Sequence, residues 1–201
     1  MKLHVWLVAL MLSFLLGSCL VYSFYPLYTG KDLFVNSLLL GTWEDEDSTW
    51  WKFEHIPPNY RNLKGDSTGY RLKIKVKGED WIEKSMEVRL IKLGDHYFAD
   101  FYIHDYPDSE EADFFDYHLI PVHTFARVEF DDETVTMRWF NEEWFREKFR
   151  KSKPCLKFLD SADQILLYGK TRQLQRFVRK YADSEEAFDE GIQFTLHKVN
   201  S

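Results

Sequence analysis

From residue 70 to residue 77 the chain alternates without a break, with Tyr70, Leu72, Ile74 and Val76 apolar and Arg71, Lys73, Lys75 and Lys77 basic. A period of two puts one set on a core face and the other in water, which predicts a half-buried strand. Gly78-Glu79-Asp80 reads as a turn, after which Met86, Val88 and Leu90 resume the alternation in a strand that should pair antiparallel with the first. Gly94-Asp95 is the next turn, and Tyr97, Ala99, Phe101 and Ile103 form a third strand. Segments 119–130 and 135–140 flank Asp131-Asp132-Glu133 as a further hairpin, with Val128, Phe130, Val135, Met137 and Trp139 inward. Segments 39–44 and 49–54 pair around the acidic turn Asp45-Glu46-Asp47.

Two helices interrupt the second half. Asn141 can cap one that carries Trp144, Phe145 and Phe149. Thr171 can cap another, in which Leu174, Phe177, Val178 and Tyr181 fall at i, i+3, i+4 and i+7. Segment 165–168 reads as a strand between them, and Ile192, Phe194 and Leu196 after Gly191 read as a closing strand. The expected fold is therefore mainly β within the α+β class. About seven or eight antiparallel strands would form a meander that closes into a barrel or a strongly curved sheet, because closure removes exposed edges.

The 17% aromatic content agrees with strands, and 201 residues at 45% hydrophobic content suit one folded domain. Residues 1–18 stand apart from it. Lys2 precedes an almost unbroken apolar run from Val5 to Leu16, and Gly17-Ser18 then lead into Cys19, the order of a secretory signal peptide. Residues 19–37 then read as an apolar and aromatic tether that lies at a membrane interface or packs on the domain of residues 38–201. A membrane-spanning helix is the competing reading, since Leu20, Val21, Tyr22, Phe24 and Tyr25 prolong the run to about the 20 residues a span needs.

Leu16-Gly17-Ser18-Cys19 resembles the lipobox of bacterial lipoproteins. That resemblance implies cleavage before Cys19, a diacylglycerol on its thiol and usually an acyl group on the new amine. Two or three chains together give stable anchoring, each buried CH₂ contributing about 0.8 kcal/mol. Leu20, where no Asp stands, matches the pattern sent to an outer membrane, which implies a periplasm-facing lipoprotein of the bacterial cell envelope. Gly41-Thr42-Trp43 resembles the Gly-x-Trp signature of lipocalins and other calycins, in which the Trp closes one end of the barrel. Together with Pro26-Leu27-Tyr28-Thr29 and Lys31-Asp32 behind the lipobox, it also resembles a class of diderm-bacterial lipoproteins, a resemblance that brings no activity with it.

Charge narrows the partners. The net charge is −7, and without residues 1–18 there remain 25 basic against 33 acidic residues, or −8. Nucleic acid is not an expected partner, because counterion release needs clustered Lys and Arg and here the basic residues are interleaved with acids or scattered along strands. An anionic lipid surface is disfavoured for the same reason, so membrane attachment is expected through the lipid on Cys19. If Cys19 is acylated, Cys155 has no partner for a disulfide and reads as a small buried apolar residue.

No motif specifies catalysis, and nothing requires a cofactor or a metal. The carboxylates between His104 and His118 lack the glycine spacing of a calcium loop and read as a solvated acidic loop. His96, His104, His118 and His123 would ligate a transition metal only if the strands brought them together. Gly65-Asp66-Ser67-Thr68-Gly69 reads as a polar turn, since nothing supplies its serine with a base. The aromatic surplus is the feature with a functional slant. Trp43, Trp50 and Trp51 are the candidate ligand or partner contacts, and Trp50 and Trp51, adjacent on one strand, must face opposite ways. The expectation is a non-enzymatic binding domain for a small apolar or amphipathic ligand, with docking on another envelope protein as the alternative.

Overall fold

The computed structural model describes residues 20–57, 66–81, 85–103, 118–150, 156–161 and 164–199. Among the described residues there are twelve strands and two helices: β1 Val21–Ser23, β2 Leu33–Phe34, β3 Gly41–Glu44, β4 Trp50–Ile56, β5 Asp66–Lys75, β6 Met86–Leu93, β7 His96–Ile103, β8 His123–Phe130, β9 Thr134–Trp139, α1 Glu142–Arg150, β10 Phe158–Ser161, β11 Gln164–Leu167, α2 Thr171–Tyr181 and β12 Gln193–Lys198. Eight of them, β3 to β9 and β12, form an antiparallel barrel in which each pairs with the next. Closure comes from β12, which pairs with β9 along its length and with β3 through His197–Glu44 and Lys198–Trp43. The expected meander is thus a closed barrel, with the two helices in its C-terminal half.

The alternation that predicts the strands also sorts their side chains. Phe53, Tyr70, Leu72, Val88, Leu90, Phe101, Val128 and Met137 point inward and are essentially closed to solvent. Arg71, Lys73 and Lys75 belong to the outward set of β5, paired with Glu54, Lys52 and Trp50 on β4. Between β6 and β7 the two-residue turn Gly94-Asp95 leaves Leu93 opposite His96, and Gly94 takes the positive φ (69°) such a turn demands.

Strands β6 to β8 depart from the simple pattern because both of their faces are buried. Ile91, Leu93, Phe98 and Phe125 point out of the barrel into a second apolar layer built by α1, α2, β1 and the β10–β11 hairpin. Asn141 does cap α1, its side chain accepting the Trp144 N–H at 2.8 Å. Thr171 does not cap α2: Lys170 precedes the helix, and the Thr171 hydroxyl donates instead to Pro26 O at 2.8 Å. The pentapeptide expected as a turn before residue 70 is strand from Asp66 onward, because Arg89 on β6 lies flat across Gly69 and ties Asp66 and Thr68 to the sheet. A Cβ on Gly69 would come within 2.7 Å of that guanidinium.

One end of the barrel, called lower here, carries the turns at 94–95 and 131–133 and a 3-10 turn, Ser37–Leu39. It is shut. The Trp43 indole donates to Leu39 O at 2.8 Å, and Lys198 stands 4.8 Å over the Trp43 ring while donating to Leu38 O and Leu40 O. The upper end carries the connections at 45–49, 76–85 and 104–122, together with the long excursion from β9 to β12.

Phe177 sits at the centre of the outer layer, its ring 5.2–5.6 Å from those of Phe140, Phe145, Phe149 and Tyr181. Phe177→Ala removes a fully buried ring that these neighbours cannot replace. Urea unfolding followed by circular dichroism should show a loss of about 3–5 kcal/mol.

Candidate functional site

The upper end of the barrel differs in chemistry from the lower. Trp51, Phe101, Trp139 and Phe194 meet inside it, with ring centroids 4.9 Å apart for Trp51–Phe194, 5.2 Å for Phe101–Trp139 and 5.9 Å for Trp139–Phe194. Ile74, Met86, Ile192 and Phe194 belong to the same inward set but are only half-buried, so this apolar floor reaches solvent. β5 and β6 part there, since their pairing stops at Leu72–Met86 while β5 runs on beside β4 to Lys75.

The three tryptophans singled out from the sequence fall in different places. Trp43 is closed into the lower end, as above. Trp51 is also buried, its Nε1 donating to the Asp45 carboxylate at 2.9 Å, and Asp45 in turn accepts from the Thr49 and Asp47 N–H groups to hold the β3–β4 turn. Trp50 faces outward at the upper rim, with Lys75 Nζ 5.8 Å from its ring, and lines a concavity of about 240 Å³ together with Glu44 and Val76.

A fourth tryptophan, Trp139, carries the distinctive chemistry. It is 5% exposed at the upper end of β9, and its Nε1 has no hydrogen-bond partner. A buried unpaired N–H costs about 1–3 kcal/mol. Trp43 and Trp51 each avoid that cost, whereas the Trp139 donor sits among rings that offer no acceptor. Sequence inspection assigns Trp139 to the core but cannot tell a paired indole from an orphaned one.

A second polar centre lies on the outside of the barrel, under the N-terminal segment. Asp100 on β7 is 1% exposed; its Oδ1 lies 2.6 Å from His123 Nδ1, and its Oδ2 accepts the Leu27 N–H at 2.7 Å. Burial pushes the Asp100 carboxyl above its ordinary range, against the pull of His123 and the Leu27 N–H. Tyr102 stacks on the imidazole at 4.5 Å. Ser23 stands opposite His123 in the β1–β8 pairing, which puts serine, histidine and aspartate side by side. The arrangement is structural: Ser23 is closed to solvent and its hydroxyl is spent on Tyr25, donating to the carbonyl and accepting from the N–H. Gln175 on α2 donates to Leu27 O and to Asp32, so the segment from Pro26 to Asp32 is held from both sides. Tyr28, in the same region, has its phenol pushed up to about 12 by burial and by the charges of Glu87 and Asp100.

His96 and His123 do not converge: they start β7 and β8 at opposite ends of the barrel, and His96 is paired with Asp183 at 2.6 Å. Among the described residues no group of three or more metal-ligating side chains comes together. Cys19, Cys155, His104 and the carboxylates from Asp105 to Asp116 lie outside the described residues.

Beside this centre, burial alone would raise the pKa of Asp66, but hydrogen bonds from Arg89 and Thr68 outweigh it and bring the carboxyl down to about 2. A carboxylate whose pKa falls on folding adds stability above its unfolded value of 3.8, and that contribution is lost as pH falls toward 2. The Asp66 side chain is 27% exposed, which discounts the effect through solvent screening. Asp66→Asn should therefore cost about 1–2 kcal/mol at pH 7 in urea unfolding. The gap between variant and parent should close as pH is lowered from 4 to 2.

Comparison of the chain with family models, with curated proteins and with solved structures gave no match, so the reading of its function rests on the geometry above.

Proposed function

We propose that the protein is a membrane-anchored bacterial lipoprotein of the cell envelope whose barrel holds an apolar or amphipathic ligand at its upper end, without catalysis. The observation that carries this reading is the Trp139 indole: a buried donor without a partner, at the solvent-reaching end of an aromatic floor. A ligand with an apolar body and one hydrogen-bond acceptor, such as a carboxylate or ester carbonyl, would cover Met86, Ile74 and Phe194 and satisfy that N–H. The resemblance to calycins agrees in architecture. Gly41-Thr42-Trp43 opens the first barrel strand behind a 3-10 turn, and Lys198 in the last strand packs on the Trp43 ring.

One observation favours docking on an envelope protein instead. Below the upper end the interior is filled by buried side chains such as Phe53, Tyr70, Leu72 and Leu90, which leaves only that end for a ligand.

A fluorescent fatty acid titrated into the detergent-purified protein separates the two. The ligand reading expects saturable binding, displaced by unlabelled fatty acid and weakened about three- to tenfold by Trp139→Phe, the effect of losing one hydrogen bond. Absence of saturable binding would leave the docking reading. The anchor has its own test, the intact mass of membrane-extracted protein. Loss of residues 1–18 with a lipid-sized increment, both absent in Cys19→Ala, is expected; a full-length unmodified chain would mean a spanning helix.

A further inference from the structure

Most of the large apolar side chains that this protein leaves in water lie at one end. Trp50 (38% exposed) and Val76 (40%) come from the first two upper connections, Ile103 (42%) ends β7, and Leu119 (55%) and Ile120 (66%) lead into β8. Phe24 and Tyr25, also exposed, follow β1 at the same level. The lower end exposes only Val35 and Leu38 among the described residues. Apolar groups spread around one rim, on connections from opposite sides of a barrel, do not form the compact patch of a protein groove.

The described chain also begins near that rim, in a strand that runs toward it. β1 takes the edge of β8 at His123, beyond the last β8–β9 rung at Ala126–Trp139, and Leu20 packs against the interior cluster there. Leu20, the first described residue, is three residues from Ser23 at that rim, a span of no more than about 11 Å at about 3.6 Å per residue. Membrane attachment through the preceding residues would therefore keep this end of the barrel near the bilayer.

We infer that the upper rim is a second membrane contact, which seats Trp50, Val76, Ile103, Leu119 and Ile120 at the headgroup boundary of a zwitterionic leaflet. The inference rests on membrane attachment through residues 1–19 and not on the ligand. Tryptophan suits that boundary because its ring is apolar and its N–H stays hydrated, and Lys75 and Lys77 flank Val76 with stems long enough to reach phosphates. Glu46, Asp47, Glu79 and Asp80 are exposed on the same connections, so an anionic leaflet would be repelled and a zwitterionic one is not. A barrel seated in this way would open its aromatic floor toward the lipid, so that a ligand could pass from one to the other without crossing water.

The test uses the full-length protein reconstituted in phosphatidylethanolamine–phosphatidylcholine vesicles with brominated acyl chains, which quench nearby indoles. The difference in emission between the parent and Trp50→Phe isolates Trp50. It should lose most of its intensity in brominated relative to ordinary vesicles, and recover it when Leu119→Ser and Ile120→Ser are introduced together. Trp50 emission that bromine leaves unchanged would overturn the inference and give the rim to a protein partner. The intact mass of the same sample reports separately on Cys19: an acylated chain with unquenched Trp50 sinks the docking surface alone, and an unmodified chain with quenched Trp50 sinks the lipoprotein alone. Circular dichroism checks that each variant is folded.

Discussion

A meander of antiparallel strands leaves its first and last strands with unpaired N–H and C=O groups, and the whole architecture depends on how that edge is closed. β3 is only four residues long, so β12 meets it in two rungs, continued by a hydrogen bond from the Val199 N–H to Thr42 O. Side chains complete what the backbone leaves short. Trp43 and Lys198, paired across the seam, lock the 3-10 turn under the barrel through three carbonyls, and above them Trp51 packs on Phe194 across the same seam. With the seam shut, buried aromatic and aliphatic side chains can fill the interior below the point where β5 and β6 part.

Closure at the seam leaves the opposite wall free to serve as a platform. β6, β7 and β8 turn large apolar residues outward as well as inward, and these bind the helices and the β10–β11 hairpin into a second core. The N-terminal segment is clamped between them. Its backbone is gripped by the buried Asp100 on one side and by Gln175 and Thr171 of α2 on the other, and Val21 and Leu27 are closed to solvent. Burying Asp100 is costly unless its oxygens are hydrogen-bonded, and they are, by His123 and the Leu27 N–H. Residues 20–37 thus form part of the folded body, contributing β1 and β2 to its sheet.

The two ends of the barrel follow from this asymmetry. The lower end is used up in closure, so its tryptophan is paired and covered. The upper end receives the long connections and the incoming chain, and both its orphaned indole and its exposed apolar side chains are concentrated there. The proposed ligand capture and bilayer contact would be compatible on one rim, because both draw on apolar surface that folding leaves uncovered.

Much of this was legible in the sequence by itself. The alternation from Tyr70 to Lys75 and the turns at Gly94 and Asp131 determined where the strands run, although the strand expected to reach Lys77 stops at Lys75 and leaves Val76 exposed beyond it, and the spacing of Leu174, Phe177, Val178 and Tyr181 determined the second helix, because these are local consequences of backbone period and turn geometry. Asn141 was readable as a cap for the same reason. Only the tertiary structure decided that β6 to β8 are buried on both faces, that Asp66 to Gly69 extend a strand under Arg89, and that Thr171 bonds Pro26 instead of its own helix. Partners 21 to 145 residues away set those outcomes, and no local pattern encodes them. The same holds for the three candidate tryptophans and for Trp139. Composition marks them all as apolar rings, but whether an indole N–H finds a carbonyl, a carboxylate or nothing depends on which strand closes beside it.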